Sequence, residues 1–165
     1  MANAISLEFL KQILNYDPET GIWITRVKRK LSAGSVAGWV DKDGYTILTI
    51  NCKNYRSGRL AWFYMTGDWP PVKVDHKDTN RANDKWGNLR LATNSQNGAN
   101  RSVQANNSLG VKGVFFNPSC RLRPYLAGIR VDGKSKHIGS FSTIEEASDA
   151  YQNAAREIFG EFARV

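Results

Sequence analysis

Four residues near the middle of this sequence are of the kinds that hydrolyse phosphodiesters. Asp75 and His76 are adjacent, Asn88 lies twelve residues after the histidine, and Asn97 lies nine after that. Asp75 offers a hard oxygen to a divalent cation. Mg²⁺ takes oxygen ligands and keeps several waters, so one carboxylate and one amide oxygen are enough protein. A neutral imidazole at His76 can draw a proton from water. A metal, a base and no nucleophilic side chain make up the toolkit of phosphodiester hydrolysis. Asn80, Asn83, Asn94 and Asn100 crowd the same region, and a polar run of this kind is costly to order unless it has a task. Taken singly, each residue has a structural explanation: a surface Asp-His pair, a turn-capping Asn88, a solvated helical Asn97. Only the joint spacing argues for chemistry.

Short elements must hold these residues. Val72 to Asp75 reads as a strand, His76 to Asn88 as a polar run, and Leu89 to Ala92 as a second strand. Thr93 can cap a polar helix running toward Asn100. Upstream, Ser6 can cap a helix with Leu7, Leu10, Ile13 and Leu14 on one face. Asp17 to Gly21 reads as a turn, Ile22 to Val27 as a strand, Asp41 to Gly44 as a hairpin turn, and Tyr45 to Ile50 as the strand after it. Leu60 to Met65 reads as a helix ended by Gly67. The stretch 102–110 is polar and without periodicity, which places a domain boundary there. Beyond it come strands Val111 to Phe116, Tyr125 to Val131 and Lys136 to Phe141, then a helix capped by Ser142 or Thr143. Ala147, Ala150, Tyr151, Ala154, Ala155 and Ile158 form its apolar stripe.

The chain has 165 residues, 41% apolar and 23% charged, enough for one domain or two small ones. It carries 23 Lys and Arg against 15 Asp and Glu, a net +8, which favours a polyanionic partner. Two cysteines, Cys52 and Cys120, make neither a disulfide framework nor a zinc pattern. With no signal-like start and no stretch of membrane-span length, the expectation is a cytoplasmic protein without a membrane partner.

The series Val74-Asp75-His76, Asn88-Leu89-Arg90 and Gln96-Asn97 resembles the HNH endonucleases. So do Asp78-Thr79-Asn80-Arg81 and Trp86-Gly87 between them. The resemblance implies a ββα fold around one divalent metal ion, Mg²⁺ or Mn²⁺. It implies that Asp75 and Asn97 bind the metal, that His76 is the general base, and that Asn88 fixes the loop or orients His76. Asp17 to Gly21, Lys42 to Tyr45 and Arg59 to Trp62 resemble homing endonucleases of the phage and intron type, which implies a phage protein acting in a bacterial host. Two positions depart from the pattern: Gly58 stands where many relatives carry His, and Lys77 where an apolar residue is usual.

Gly110 to Val114, Tyr125 to Arg130, His137 to Phe141, Glu145 to Ala147 and Ala150-Tyr151 resemble an AP2 domain covering about 111–165. The resemblance implies a three-stranded antiparallel sheet that reads duplex DNA, packed on one helix. Lys112, Arg130 and His137 match AP2 contact positions, while Phe115 stands where an Arg is common. Residues 121–137 hold Arg121, Arg123, Arg130, Lys134 and Lys136 against Asp132 alone, a plausible electrostatic footprint. Arg26 to Lys30 is a second basic cluster, either beside DNA backbone or a solvated turn.

The expectation is therefore an α+β chain: a nuclease region 1–101 with its ββα-metal core at about 56–101, a linker 102–110 and an AP2-like domain 111–165. It would be a metal-dependent DNA endonuclease, nicking or breaking both strands, monomeric or dimeric. The alternatives are a DNA-binding protein with a silent nuclease, for which Gly58 leaves room, and an RNA-directed protein. A-form RNA hides its major groove from such a sheet.

Overall fold

The computed structural model describes residues 5–27, 32–103 and 107–164. They form two compact units, Met1–Leu91 and Ala92–Val165. The first begins with α1 (Leu7–Ile13), capped by Ser6, whose Oγ accepts from the Phe9 amide at 3.1 Å. Strands β1 (Leu14–Tyr16), β2 (Trp23–Thr25) and β3 (Val36–Ala37) make one antiparallel sheet, and β4 (Trp39–Val40), β5 (Thr46–Ile50) and β6 (Lys53–Arg56) a second. Helix α2 (Ser57–Thr66) follows and ends at Gly67. Strand β7 (Lys73–His76) pairs with β8 (Leu89–Ala92), with a 3₁₀ turn at Trp86–Asn88 just before β8. The core gathers Leu10, Trp23, Leu48 and Leu60, each no more than 2% exposed. Trp23 has its indole N–H satisfied by the Ser57 hydroxyl at 2.9 Å, so its burial leaves no unpaired donor.

The second unit holds α3 (Asn94–Ala99), strands β9 (Val114–Phe116), β10 (Tyr125–Val131) and β11 (Lys134–Phe141), and α4 (Ile144–Phe159). The strands form one antiparallel sheet with β10 in the centre. Ala127 and Ile129 of β10 turn to α4, which buries Ala147, Tyr151, Ala155 and Phe159. That four-residue spacing carries the stripe to Phe159 and leaves Ile158 41% exposed, a correction to the apolar face expected from the sequence. Strand β9 starts at Val114, later than expected, because Gly113 has φ +71° and a Cβ there would fall inside the Tyr151 ring. Thr143, not Ser142, caps α4, accepting from the Glu146 amide at 3.2 Å.

The two units divide at Leu91/Ala92 rather than within 102–110. Helix α3 goes with the second unit because Ala99 joins its core and the Ser95 hydroxyl meets Asp132 in the β10–β11 turn at 3.1 Å. Residues 104–106 of the expected linker, and Lys28 to Lys30 of the basic cluster, lie outside the described residues. Among the described residues no helix is long and apolar enough to cross a membrane.

Candidate functional site

Strand β7 delivers Asp75 and His76 as its last two residues, each 6% exposed. The chain then loops back to β8, and Asn88 closes that loop. Its carbonyl accepts from the Lys77 amide at 3.0 Å and its side-chain oxygen from the Asp78 amide at 3.1 Å. Its amide nitrogen donates to Asp78 Oδ1 at 2.9 Å and to the Asn83 carbonyl at 2.7 Å. Asp78 is a hub for the loop's donors. Burial works against its charge, but hydrogen bonds from Asn83, Asn88 and Asn80 hold its carboxyl below the usual range. Of the two roles left open for Asn88, these hydrogen bonds carry the loop-fixing one. Lys77 serves the same end, its ammonium donating to the Gly87 carbonyl at 2.9 Å.

The partner of His76 is Asp84. Its Oδ1 lies 2.9 Å from His76 Nε2, and Asp84 is only 2% exposed. Two segments far away in sequence, β1 and the turn that follows it, hold it there. The Tyr16 hydroxyl on β1 donates to the Asp84 carbonyl at 2.6 Å. The turn Asp17 to Gly21 lies against the same peptide: a Cβ on Gly21 would fall 2.5 Å from both Asp84 C and Lys85 N, and Gly21 has φ +75°. The Trp86 amide donates to the Pro18 carbonyl at 2.9 Å. Burial first, then the Asp84 and Asp17 charges, push the Tyr16 phenol well above its ordinary value, so it stays a donor.

Gly58 gives Asp84 its space. A Cβ on Gly58 would meet Asp84 Oδ1 at 3.0 Å and Leu89 Cδ2 at 3.4 Å. The carboxylate therefore sits against the first turn of α2, where the helix dipole favours an anion. The departure from the family pattern at Gly58 is thus occupied by a partner of His76.

Asp75 is tied by Oδ2 to Arg90 Nε at 3.1 Å, both residues being buried. Among the described residues no three or more His, Cys, Asp or Glu side chains gather to hold a metal ion. Asp75, at the end of β7, brings one carboxylate to the edge of this loop beside Asp78 and Asp84 within it. Asn97 lies half-buried on α3 of the second unit.

Sequence spacing singled out Asp75, His76 and Asn88, and the structure brings them into one loop. It did not single out Asp84 or the Asp75–Arg90 pairing. Asp84 is one of two acids in the polar run, and only its burial separates it from Asp78.

In the second unit, Arg121 and Arg123 are exposed in the loop between β9 and β10. Alternation puts Phe115, Leu126, Gly128 and Arg130 on the face away from α4. His137 pairs with Gly128 and so shares that face with Arg130, whereas Lys136 pairs with Ile129 and belongs to the α4 side. Lys112 departs from the expectation of a DNA contact. Its ammonium donates to the carbonyls of Arg101 at 2.8 Å and Arg164 at 3.0 Å, and to that of Ala99. Burial, then the Arg164 charge, bring it down to about 8. A cation held by three carbonyls is a structural clamp.

Residues 57–99 match the family model described as HNH endonuclease, from the first residue of α2 to the last of α3. This chain carries an HNH endonuclease domain. It is 38% identical over 92 residues to an uncharacterized HNH endonuclease of Acanthamoeba polyphaga mimivirus, covering 56% of this chain and 46% of that protein. The chain thus spans about half the length of that relative. It is 31% identical over 91 residues to protein 3.8 of Escherichia phage T7, covering 55% of this chain and 73% of the T7 protein, and the two belong to one family. No solved structure matches the chain.

Proposed function

We propose that the chain is a metal-dependent DNA endonuclease in which His76 takes the proton of the attacking water. The observation that carries this reading is the buried His76–Asp84 pair at 2.9 Å, inside the HNH match and next to Asp75. The Asp84 carboxylate accepts from Nε2–H, which fixes the ring proton on Nε2 and makes Nδ1 the nitrogen that receives the proton. Asp84 also holds the ring at one angle, so the water is met in one direction only. Asn88 keeps the loop in register beneath the pair. Asp75, oriented by Arg90, would hold the metal as its carboxylate ligand, while Asn97, the amide ligand the resemblance nominates, lies on α3 of the second unit. The chemistry a divalent cation would supply there is stabilisation of charge on the phosphate and the leaving 3′ oxygen.

The basic sheet of the second unit is the proposed DNA reader. Support for an AP2-like role comes from the residue pattern and from an antiparallel sheet backed by one helix, with Arg130 and His137 on the open face. Arg121 and Arg123, exposed in the loop between β9 and β10, would meet phosphates in this reading, and such contacts set register rather than sequence.

The test is cleavage of supercoiled plasmid in Mg²⁺, with EDTA and His76→Ala as controls. Conversion to open-circular or linear DNA by the intact protein alone supports the reading. DNA binding with no cutting in Mg²⁺ or Mn²⁺ points to a silent nuclease or one that demands a particular site, and a genomic target screen separates those.

A further inference from the structure

Beside His76 lies an arrangement that the hydrolytic reading does not use. Tyr45, the residue before β5, has its ring centroid 6.2 Å from that of His76. Two guanidiniums share the Tyr45 ring: Arg56, at the end of β6, lies 3.9 Å from its centroid, and Arg81, in the loop after His76, lies 5.0 Å from it. Arg81 is further fixed by donating Nη1–H to the Asp43 carbonyl at 2.8 Å. Both arginines are exposed. Among the described residues neither lies within ion-pair distance of a carboxylate, since the ion pairs there are His76–Asp84 and Arg90–Asp75.

Two like charges on one ring repel each other, and the ring's attraction for each is modest at an exposed site. Folding has nonetheless brought them together, from positions 25 residues apart in sequence, next to the base. Water and salt screen that repulsion in part, and an anion bridging the two guanidiniums would relieve it directly. Guanidinium is the group best matched to phosphate, because its planar fork can give two parallel hydrogen bonds.

We infer that Arg56 and Arg81, set by the Tyr45 ring, form a clamp for a backbone phosphate of the DNA strand presented to His76. The inference rests on the nuclease reading only for the identity of the ligand as DNA. The clamp positions the strand, and the two arginines contact phosphate without taking part in proton transfer. Tyr45 acts through them as a positioning residue. The arrangement also accounts for the N-terminal region ahead of the matched segment 57–99: β5 and β6 carry half of the phosphate grip that the loop alone lacks.

The experiment is DNA affinity of the full chain in a His76→Ala background, which separates binding from cutting. A labelled duplex is titrated at salt from about 50 to about 200 mM, where the slope counts released counterions. Arg56→Ala and Arg81→Ala should each reduce the slope by about 0.9, and the double variant by about 1.8. Lys11→Ala is the matched control, because Lys11 also lies over a tyrosine, 5.1 Å from the Tyr64 centroid, but away from the loop. It should leave the slope unchanged. Tyr45→Leu keeps both charges and loses the platform, so affinity should fall about two- to fivefold with the slope retained. If thermal melting shows an alanine variant unfolded, Arg56→Gln with Arg81→Gln keeps the stems and carries the test.

An unchanged slope in the folded double variant overturns the clamp, as does an equal loss in Lys11→Ala, which would mean general charge only. Plasmid cleavage by the unsubstituted chain is read alongside. No cutting with the slope effect present leaves the clamp standing and sends the nuclease reading to the genomic target screen, which separates a silent nuclease from one that demands a particular site. Cutting present with the slope effect absent overturns the clamp and leaves the nuclease reading.

Discussion

The first unit buries the charged pairs proposed for its chemistry, and the second exposes the charges proposed to meet DNA. Asp84 with His76, and Asp75 with Arg90, are the two ion pairs of the described residues, and both are buried in or beside one loop. In the second unit Arg121, Arg123, Arg130, Lys136 and His137 are all exposed, and Lys112, the cation drawn inward, is held by backbone carbonyls rather than by an acid. The difference suits the two tasks proposed for them. Proton transfer needs one ring angle and one tautomer, which only a desolvated, fully partnered group maintains. Backbone binding needs charge that can follow a phosphate, and solvated side chains supply that at no desolvation cost.

The sharpest way to break this comparison is His76→Ala. Cleavage should fall by about 10²- to 10⁴-fold, the usual worth of a general base, while duplex affinity stays as it was. A variant that still cuts would remove the loop's claim to the chemistry. Asp84→Asn comes next: turnover should drop on the order of 10- to 100-fold, as when an orienting partner of a working histidine is lost, with KM little changed. A rise in KM at constant turnover would instead make Asp84 part of binding. Gly58→Ala should produce a weaker form of the same defect, because its Cβ would crowd Asp84 Oδ1.

On the second unit's side, Lys112→Met should lower thermal stability by about 1 kcal/mol, as the three carbonyls lose their shared donor, with the salt slope of DNA binding intact. Arg130→Ala should do the opposite: little change in melting, and a slope smaller by about 0.9. If the two results were exchanged, Lys112 would be a DNA contact after all. The smallest effect is a pH one. The folded chain holds the Tyr16 phenol above its unfolded value, so its contribution to stability is complete below about pH 10 and is lost as pH rises beyond it. Tyr16→Phe should remove that alkaline loss in a melting series, while giving up the bond to the Asp84 carbonyl.

Local signals in the sequence were enough for much of this molecule. The caps at Ser6, Thr93 and Thr143, the end of α2 at Gly67 and the strand Tyr125–Val131 all follow from residue type and period, because each depends on neighbours within a few positions. The spacing of His76, Asn88 and Asn97 was likewise open to reading, through its resemblance to the HNH endonucleases. Tertiary structure alone decided which acid meets His76. Asp78 and Asp84 are alike in type and setting along the chain, but Tyr16, Gly21 and Gly58 converge on Asp84 from three other elements and shut it away from water. It also decided that Lys112 faces inward and that Arg56 and Arg81 share one ring. Burial and pairing are sums over contacts between distant segments, and no window of sequence contains them.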